Sequence, residues 1–242
     1  MLQQPFGVFS AAVLRFPKLL VAAVNGPAVG VGVTLLPHCD LVYAYGGAEG
    51  GGMKPGDIPR APSSARGVGY RERRGVASAG DAGTGMREEV GVGKGAVAGR
   101  VGAASFWTPF FRLAIVPEFC SSVTFPEILG WSLANEMLVM GRKLSAQEAQ
   151  ASGLVSTVVT ADTEEAFLSQ VKEHLQQNVL GAYMAAESAK TFKQIMWRDR
   201  RPRLLRVLAE ECVELDRRMQ TGHPRAALKH LARRPRDGSS KL

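Results

Sequence analysis

The chain has 242 residues, 45% of them apolar, and a formal charge of +8. That length and composition fit a globular protein of one domain or one and a half. Cys39, Cys120 and Cys212 show no CxxC spacing and no histidine cluster beside them, which argues against a disulfide framework or a metal site. No apolar run reaches about 18 residues without a polar interruption, and no leader with a charged start and cleavage signal opens the chain, so a soluble, unsecreted protein with no membrane span is expected.

In chain order, FGVFSAAVLRF has apolar residues near helical spacing and ends at Pro17. LLVAAV is short, continuous and bounded by turn signals, as a buried strand would be. The glycine-rich stretch NGPAVGVGVTLL follows from Asn25 to Leu36, then a short helix in VGVTLLPHCD and a second buried strand, LVYAY. Residues 46–102 hold 17 of the 27 glycines and almost no large hydrophobes. Such a segment has too little burial to offset its ordering entropy, and it reads as a disordered insertion.

Periodicity returns at Ala103. A helix is expected roughly from Trp131 to Met140, and LSAQEAQASG carries a capping box, Ser145 with Glu148, closed by Gly153. LVSTVV reads as a strand. Four amphipathic helices follow in DTEEAFLSQVKEHLQQ, AYMAAESAKTFKQIMW, PRLLRVLAEECVELDRRMQ and HPRAALKHLARR. The core therefore divides into 1–45 and 103–160, a helical region over 161–237 and a tail over 238–242. From Trp197 to Leu242 there are 13 Lys or Arg against 6 Asp or Glu, a net +7, read either as a surface that meets anions or as a solvated helical face. Aromatics do not interleave with these charges, which disfavours nucleic acid. The chain ends in Ser240, Lys241 and Leu242, the tripeptide that a peroxisomal import receptor reads.

The glycines admit three explanations. A phosphate loop requires GxxxxGK[ST], and no lysine follows GPAVGVG; a dinucleotide fingerprint fails because Leu35 stands where a third glycine belongs after Gly30 and Gly32. GVGKGAVAG within 91–99 has no strand before it. Close packing of a helix on a strand remains open, as does a helix start whose N–H groups face a developing negative charge.

FPKLLVAAVNGPAVGVGVTLLPHCDLVYA, followed after the insertion by ASFWTPFFRLAIVPEFCSSVTFPEILGWSLANEMLVMGRKLSAQEAQASGLV, resembles the crotonase (enoyl-CoA hydratase/isomerase) superfamily, and most of all its peroxisomal Δ3,Δ2-enoyl-CoA isomerase branch. The resemblance covers residues 15–45 and 103 to about 235 and implies an α/β fold, a spiral of ββα units with C-terminal helices that trimerise. It implies further ββα units ahead of this chain's first residue, with the loop that gives a second oxyanion N–H. Residues 46–102 correspond to nothing in that family.

By position, the resemblance gives Val31 as an oxyanion N–H donor, with Gly30 and Gly32 allowing close approach and Ala28 beside them in the substrate-binding set. The two glutamates of the hydratase branch fall at Thr34 and Phe110, which disfavours hydration. The single glutamate of the isomerase branch matches Glu118 in VPEFCSS, among Ile115, Val116, Pro117 and Phe119, where desolvation would make it a stronger base. Asn25, Thr108 and Cys120 are expected to be structural. The implied substrate is an acyl-CoA, with no metal and no separate cofactor; Lys190, Lys193 and Lys229 are unassigned candidates near the CoA phosphates. The implied reaction is isomerisation of 3-enoyl-CoA in fatty-acid β-oxidation, in the peroxisomal matrix. The alternative is a non-catalytic crotonase-like chain that binds acyl-CoA or joins full-length subunits. The family loop GQSPEG reads AIVPEF here, so that Ala114 and Phe119 would be strained if either lost glycine held a positive φ.

Overall fold

The computed structural model describes residues 4–47, 102–181 and 185–233. The insertion, but for its first two residues and its last, and the terminal Ser240-Lys241-Leu242 signal lie outside the described residues. Helix α1 (Pro5–Arg15) starts with its proline at the first helical position, where the missing N–H costs nothing. Strands β1 (Val21–Val24) and β3 (Leu41–Tyr45) pair in parallel, and β6 (Thr157–Val159) joins β3 to give one three-stranded sheet. A second sheet is built from β2 (Pro27–Val29), β4 (Ser105–Trp107) and β5 (Leu144–Ser145), with β2 parallel and β5 antiparallel to β4.

β3 is the central strand of its sheet. Val42 and Ala44 enter a core with Val33, Leu36, Phe106, Phe125 and Met137, and Tyr43 and Tyr45 pack with Phe167 and Val171 of α5 (Glu164–Leu175). Burial on both faces explains why LVYAY is continuously apolar instead of alternating. Strands β2 and β5 span three and two residues, and both sit at an edge, where Pro27 withholds no needed ladder donor.

Helix α3 (Ser121–Asn135) starts ten residues earlier than expected, and a π-helical turn continues it over Glu136–Met140. Pro126 and Gly130 look like breaks in the sequence. The chain passes both, bending at Gly130, whose φ and ψ are 75° and 160°. Helix α4 (Ala146–Ala151) begins at the expected capping box, with Ser145 accepting from the Glu148 N–H and Glu148 from the Ser145 N–H, and Gly153 follows it at φ 87°.

The remaining helices are α6 (Ala185–Trp197), α7 (Arg200–Gln220) and α8 (His223–Arg233). Ala11 and Leu14 of α1 pack with Leu204, Leu208 and Cys212 of α7. Lys193 of α6, only 2% exposed, bonds the Asp40 carboxylate at 2.7 Å and the Lys18 carbonyl at 2.8 Å, and Asp40 in turn accepts from the Leu20 N–H. One buried ion pair thus ties α6 to the entrances of β1 and β3. No described helix is long and apolar enough to cross a membrane.

Candidate active site

The glycine stretch resolves into a strand, a turn and a helix. Gly30 follows β2, donates its N–H to the Trp107 carbonyl at 2.9 Å and holds φ 56° with ψ −120°, a conformation that favours glycine. Helix α2 (Val31–Thr34) follows, and its first bonds run from the Val33 and Thr34 N–H groups to the Gly30 carbonyl. A helix's first turn leaves N–H groups without intrahelical acceptors; here these belong to Val31 and Gly32. Close packing does not explain Gly32, because a Cβ there would meet the Ala28 Cβ of β2 at an ordinary 3.9 Å.

Glu118 comes to this turn from a loop 88 positions away in sequence. Its Oε1 lies 3.9 Å from where a Cβ on Gly30 would stand, so the carboxylate rests against the turn that presents the Val31 N–H. Burial, and second the nearby Glu211 carboxylate, raise the Glu118 carboxyl from 4.5 to about 7. Its backbone is held on both sides by Ser121, whose hydroxyl accepts from the Glu118 N–H at 3.2 Å and whose N–H donates to the Glu118 carbonyl at 3.1 Å.

The positions where the hydratase branch carries carboxylates hold Thr34, fully buried with its hydroxyl unpartnered, and Phe110, 2% exposed. Thr108 donates to the Met137 carbonyl at 3.0 Å, Asn25 bonds Glu164, and the Cys120 thiol, buried against the Leu204 carbonyl, is held well above its ordinary pKa by desolvation and by Glu211. These three residues have the structural roles expected of them. Lys193 is committed to Asp40, which removes it from the lysines free to meet a phosphate; Lys190 and Lys229 are exposed.

The loop that bears the base passes through the left-handed region without a glycine. Ala114 and Phe119 both hold φ 54°, as the lost glycines suggested, and Cys120 adds φ 62°. Phe119 is fully buried, its ring stacked on His38 at 4.7 Å and meeting Phe6 and Phe9 edge-on.

Sequence reading missed two residues here, Glu211 and His38. Glu211 of α7 is 9% exposed and accepts from the Cys120 N–H at 2.5 Å, the Ser122 N–H at 3.1 Å and the Ser122 hydroxyl at 2.5 Å. The available signal was an acid on the apolar stripe of a helix, in register with Leu204 and Leu208 at positions i, i+4 and i+7. His38, fully buried, bonds the Phe119 carbonyl at 2.8 Å; burial lowers its pKa to about 4 against the raising effect of that bond, with Arg200 lowering it further. A lone histidine after a proline gave no signal.

Known proteins share this architecture. OdaA of Pseudomonas aeruginosa superposes with a TM-score of 0.67 at 26% identity, over 97% of this chain and 70% of that one. Rat enoyl-CoA delta isomerase 2 is 32% identical over 84% of this chain and 36% of its own length, and mouse peroxisomal enoyl-CoA delta isomerase 3 is 30% identical over 90% and 49%. Mouse chromodomain Y-like protein 2 is 35% identical over 68% of this chain and 22% of its own. The chain thus spans between about a fifth and a half of these curated relatives. The family model described as enoyl-CoA hydratase/isomerase matches residues 97–230, more than half of the sequence, and with the crotonase-like fold this establishes that the chain belongs to the enoyl-CoA hydratase/isomerase family.

Proposed function

We propose that the protein isomerises 3-enoyl-CoA to trans-2-enoyl-CoA. The observation that carries this reading is the half-buried Glu118 carboxylate, raised to about 7, lying against the Gly30–Val31 turn. A base that titrates near the working pH combines a useful ionised fraction with proton affinity for a carbon acid. Glu118 removes a proton from C2, the electron pair passes into the thioester as a dienolate, and the Val31 N–H stabilises the oxygen. The protonated Glu118 then delivers the proton to C4, the double bond moves from C3–C4 to C2–C3, and the carboxylate is regenerated. CoA enters as part of the substrate, so the cycle needs no separate cofactor or metal.

Thr34 and Phe110 offer no carboxylate to activate water, which favours isomerisation over hydration. The terminal Ser240-Lys241-Leu242 supports import by the peroxisomal receptor and a place in fatty-acid β-oxidation in the matrix, as does the likeness to a relative named as peroxisomal. Trimerisation through the C-terminal helices is part of the same proposal. The test follows formation of the conjugated thioester from a 3-enoyl-CoA by absorbance. Glu118→Gln is expected to abolish it with substrate binding retained, and an unchanged rate would remove the assignment. A second reading, a chain that binds acyl-CoA without turnover, draws on the left-handed Ala114, Phe119 and Cys120 around the base. Binding without turnover by the unsubstituted protein would select it.

A further inference from the structure

The carbonyl of Phe119 and the N–H of Cys120 belong to one peptide group, and each is taken by a side chain from a different part of the fold. His38, just after the oxyanion helix, bonds the carbonyl at 2.8 Å; Glu211, on α7, accepts from the N–H at 2.5 Å. We propose that His38 and Glu211 are positioning residues that clamp the Phe119–Cys120 peptide from both sides and thereby fix the Glu118 carboxylate against the Gly30–Val31 turn. The proposal deepens, and rests on, the reading of Glu118 as the base.

Both residues of the clamped peptide hold left-handed backbone, φ 54° and 62°, which L residues seldom adopt unaided. Helix α3 has no capping side chain of its own at Cys120, and Glu211 supplies that function from 91 residues away. All three of its partners donate, as suits an ionised carboxylate; burial raises the Glu211 carboxyl above its ordinary value, and these hydrogen bonds act against that rise. A carbonyl can only accept, so His38 carries its proton on Nε2, and burial keeps the ring neutral. The titratable and charged groups around the clamp are Glu118 in the loop, Cys120 at the head of α3, His38, and Arg200 and Cys212 with Glu211 on α7. Because Glu211 also adds negative charge near Glu118, its removal makes the base weaker as well as looser.

The experiment compares the unsubstituted protein with Glu211→Gln, His38→Gln, His38→Leu and Glu118→Gln, by isomerase kinetics on a 3-enoyl-CoA and by NMR of the Cys120 amide proton. In Glu211→Gln the amide is expected to move upfield and lose exchange protection, kcat to fall by about tenfold or more with KM nearly constant, and the acidic limb of the kcat profile to move to lower pH. His38→Gln keeps a donor and stays near the unsubstituted rate; His38→Leu loses it and slows without moving that limb. A folded Glu211→Gln whose Cys120 amide is unmoved, or whose kcat and pH limb are both unaltered, overturns the clamp. Should Glu211→Gln not fold, the His38 pair decides, since equal rates for the two would also overturn it. Full activity in Glu118→Gln instead defeats the assignment of the base, and the Cys120 amide still reports on the clamp without reference to turnover.

Discussion

Replacing Glu118 with glutamine should raise stability while it removes the rate, and the gain should depend on pH. The carboxyl titrates at 4.5 when solvated and at about 7 in the fold, with burial as the larger cause and the Glu211 carboxylate as the smaller. The native state therefore holds that proton more tightly than the unfolded chain does. Below pH 4.5 the group is neutral in both states and costs nothing. As pH rises from 4.5 through 7 the unfolded chain releases its proton first, and stability falls; above 7 the full cost is present, about 3 kcal/mol from the gap between the two values. Glutamine has no such cost. Urea unfolding followed by circular dichroism at pH 4, 6 and 8 should show the two proteins nearly equal at pH 4 and Glu118→Gln ahead by up to about 3 kcal/mol at pH 8. A difference that stays constant across the series, or a glutamine variant that is less stable at pH 8, would refute the claim that the carboxylate is held in a desolvated place at a cost to the fold.

Three more outcomes follow from the same structure. Ala114→Gly relieves a residue at φ 54° and should raise the free energy of unfolding by about 1 kcal/mol in urea melts. Lys193→Ala strands the Asp40 carboxylate and should cost about 3–5 kcal/mol, whereas Arg203→Ala, which removes an exposed pair with Glu127, should cost no more than about 1 kcal/mol by the same measurement. A long-chain enoyl-CoA at 100 times its Kd should stabilise the folded chain by about 2.7 kcal/mol and raise its Tm; no cooperative transition, or one that ignores the ligand, would contradict a formed acyl-CoA site.

The legible parts of this fold were those that local chemistry decides. LVYAY announced a strand buried on both faces, Ser145 with Glu148 announced a helix start, and the four C-terminal amphipathic patterns each became a helix. The positive φ of Gly30, by contrast, came only with the structure. The edge strands β2 and β5 and the head of α3 were not legible. β2 and β5 are too short to show a period, and the first half of α3 is capped by Glu211, a residue that no local window contains. At the candidate site, Glu118 and Val31 came from resemblance to a motif. The groups that hold them came only from the structure, because a hydrogen bond across 91 residues leaves no pattern in sequence.

The substituted glycines bring these levels together. An L residue in the left-handed region costs about 1–2 kcal/mol, so the two substituted positions, Ala114 and Phe119, cost about 2–4 kcal/mol, and Cys120 beside them adds about 1–2 kcal/mol more, in all comparable to a good part of a domain's net stability. Local preference alone would let this loop relax and carry Glu118 away from Gly30. The loop does not relax because each strained residue is engaged elsewhere. Arg218 holds the Ala114 carbonyl at 3.0 Å, His38 holds that of Phe119, Glu211 holds the Cys120 N–H, and the Phe119 ring fills a pocket between His38, Phe6 and Phe9. Two of those hydrogen-bonding groups, Glu211 and Arg218, lie on α7, so the helix that packs against α1 also sets the course of the loop that bears the base. The departure from the glycine pattern therefore weighs on stability more than on the position of Glu118.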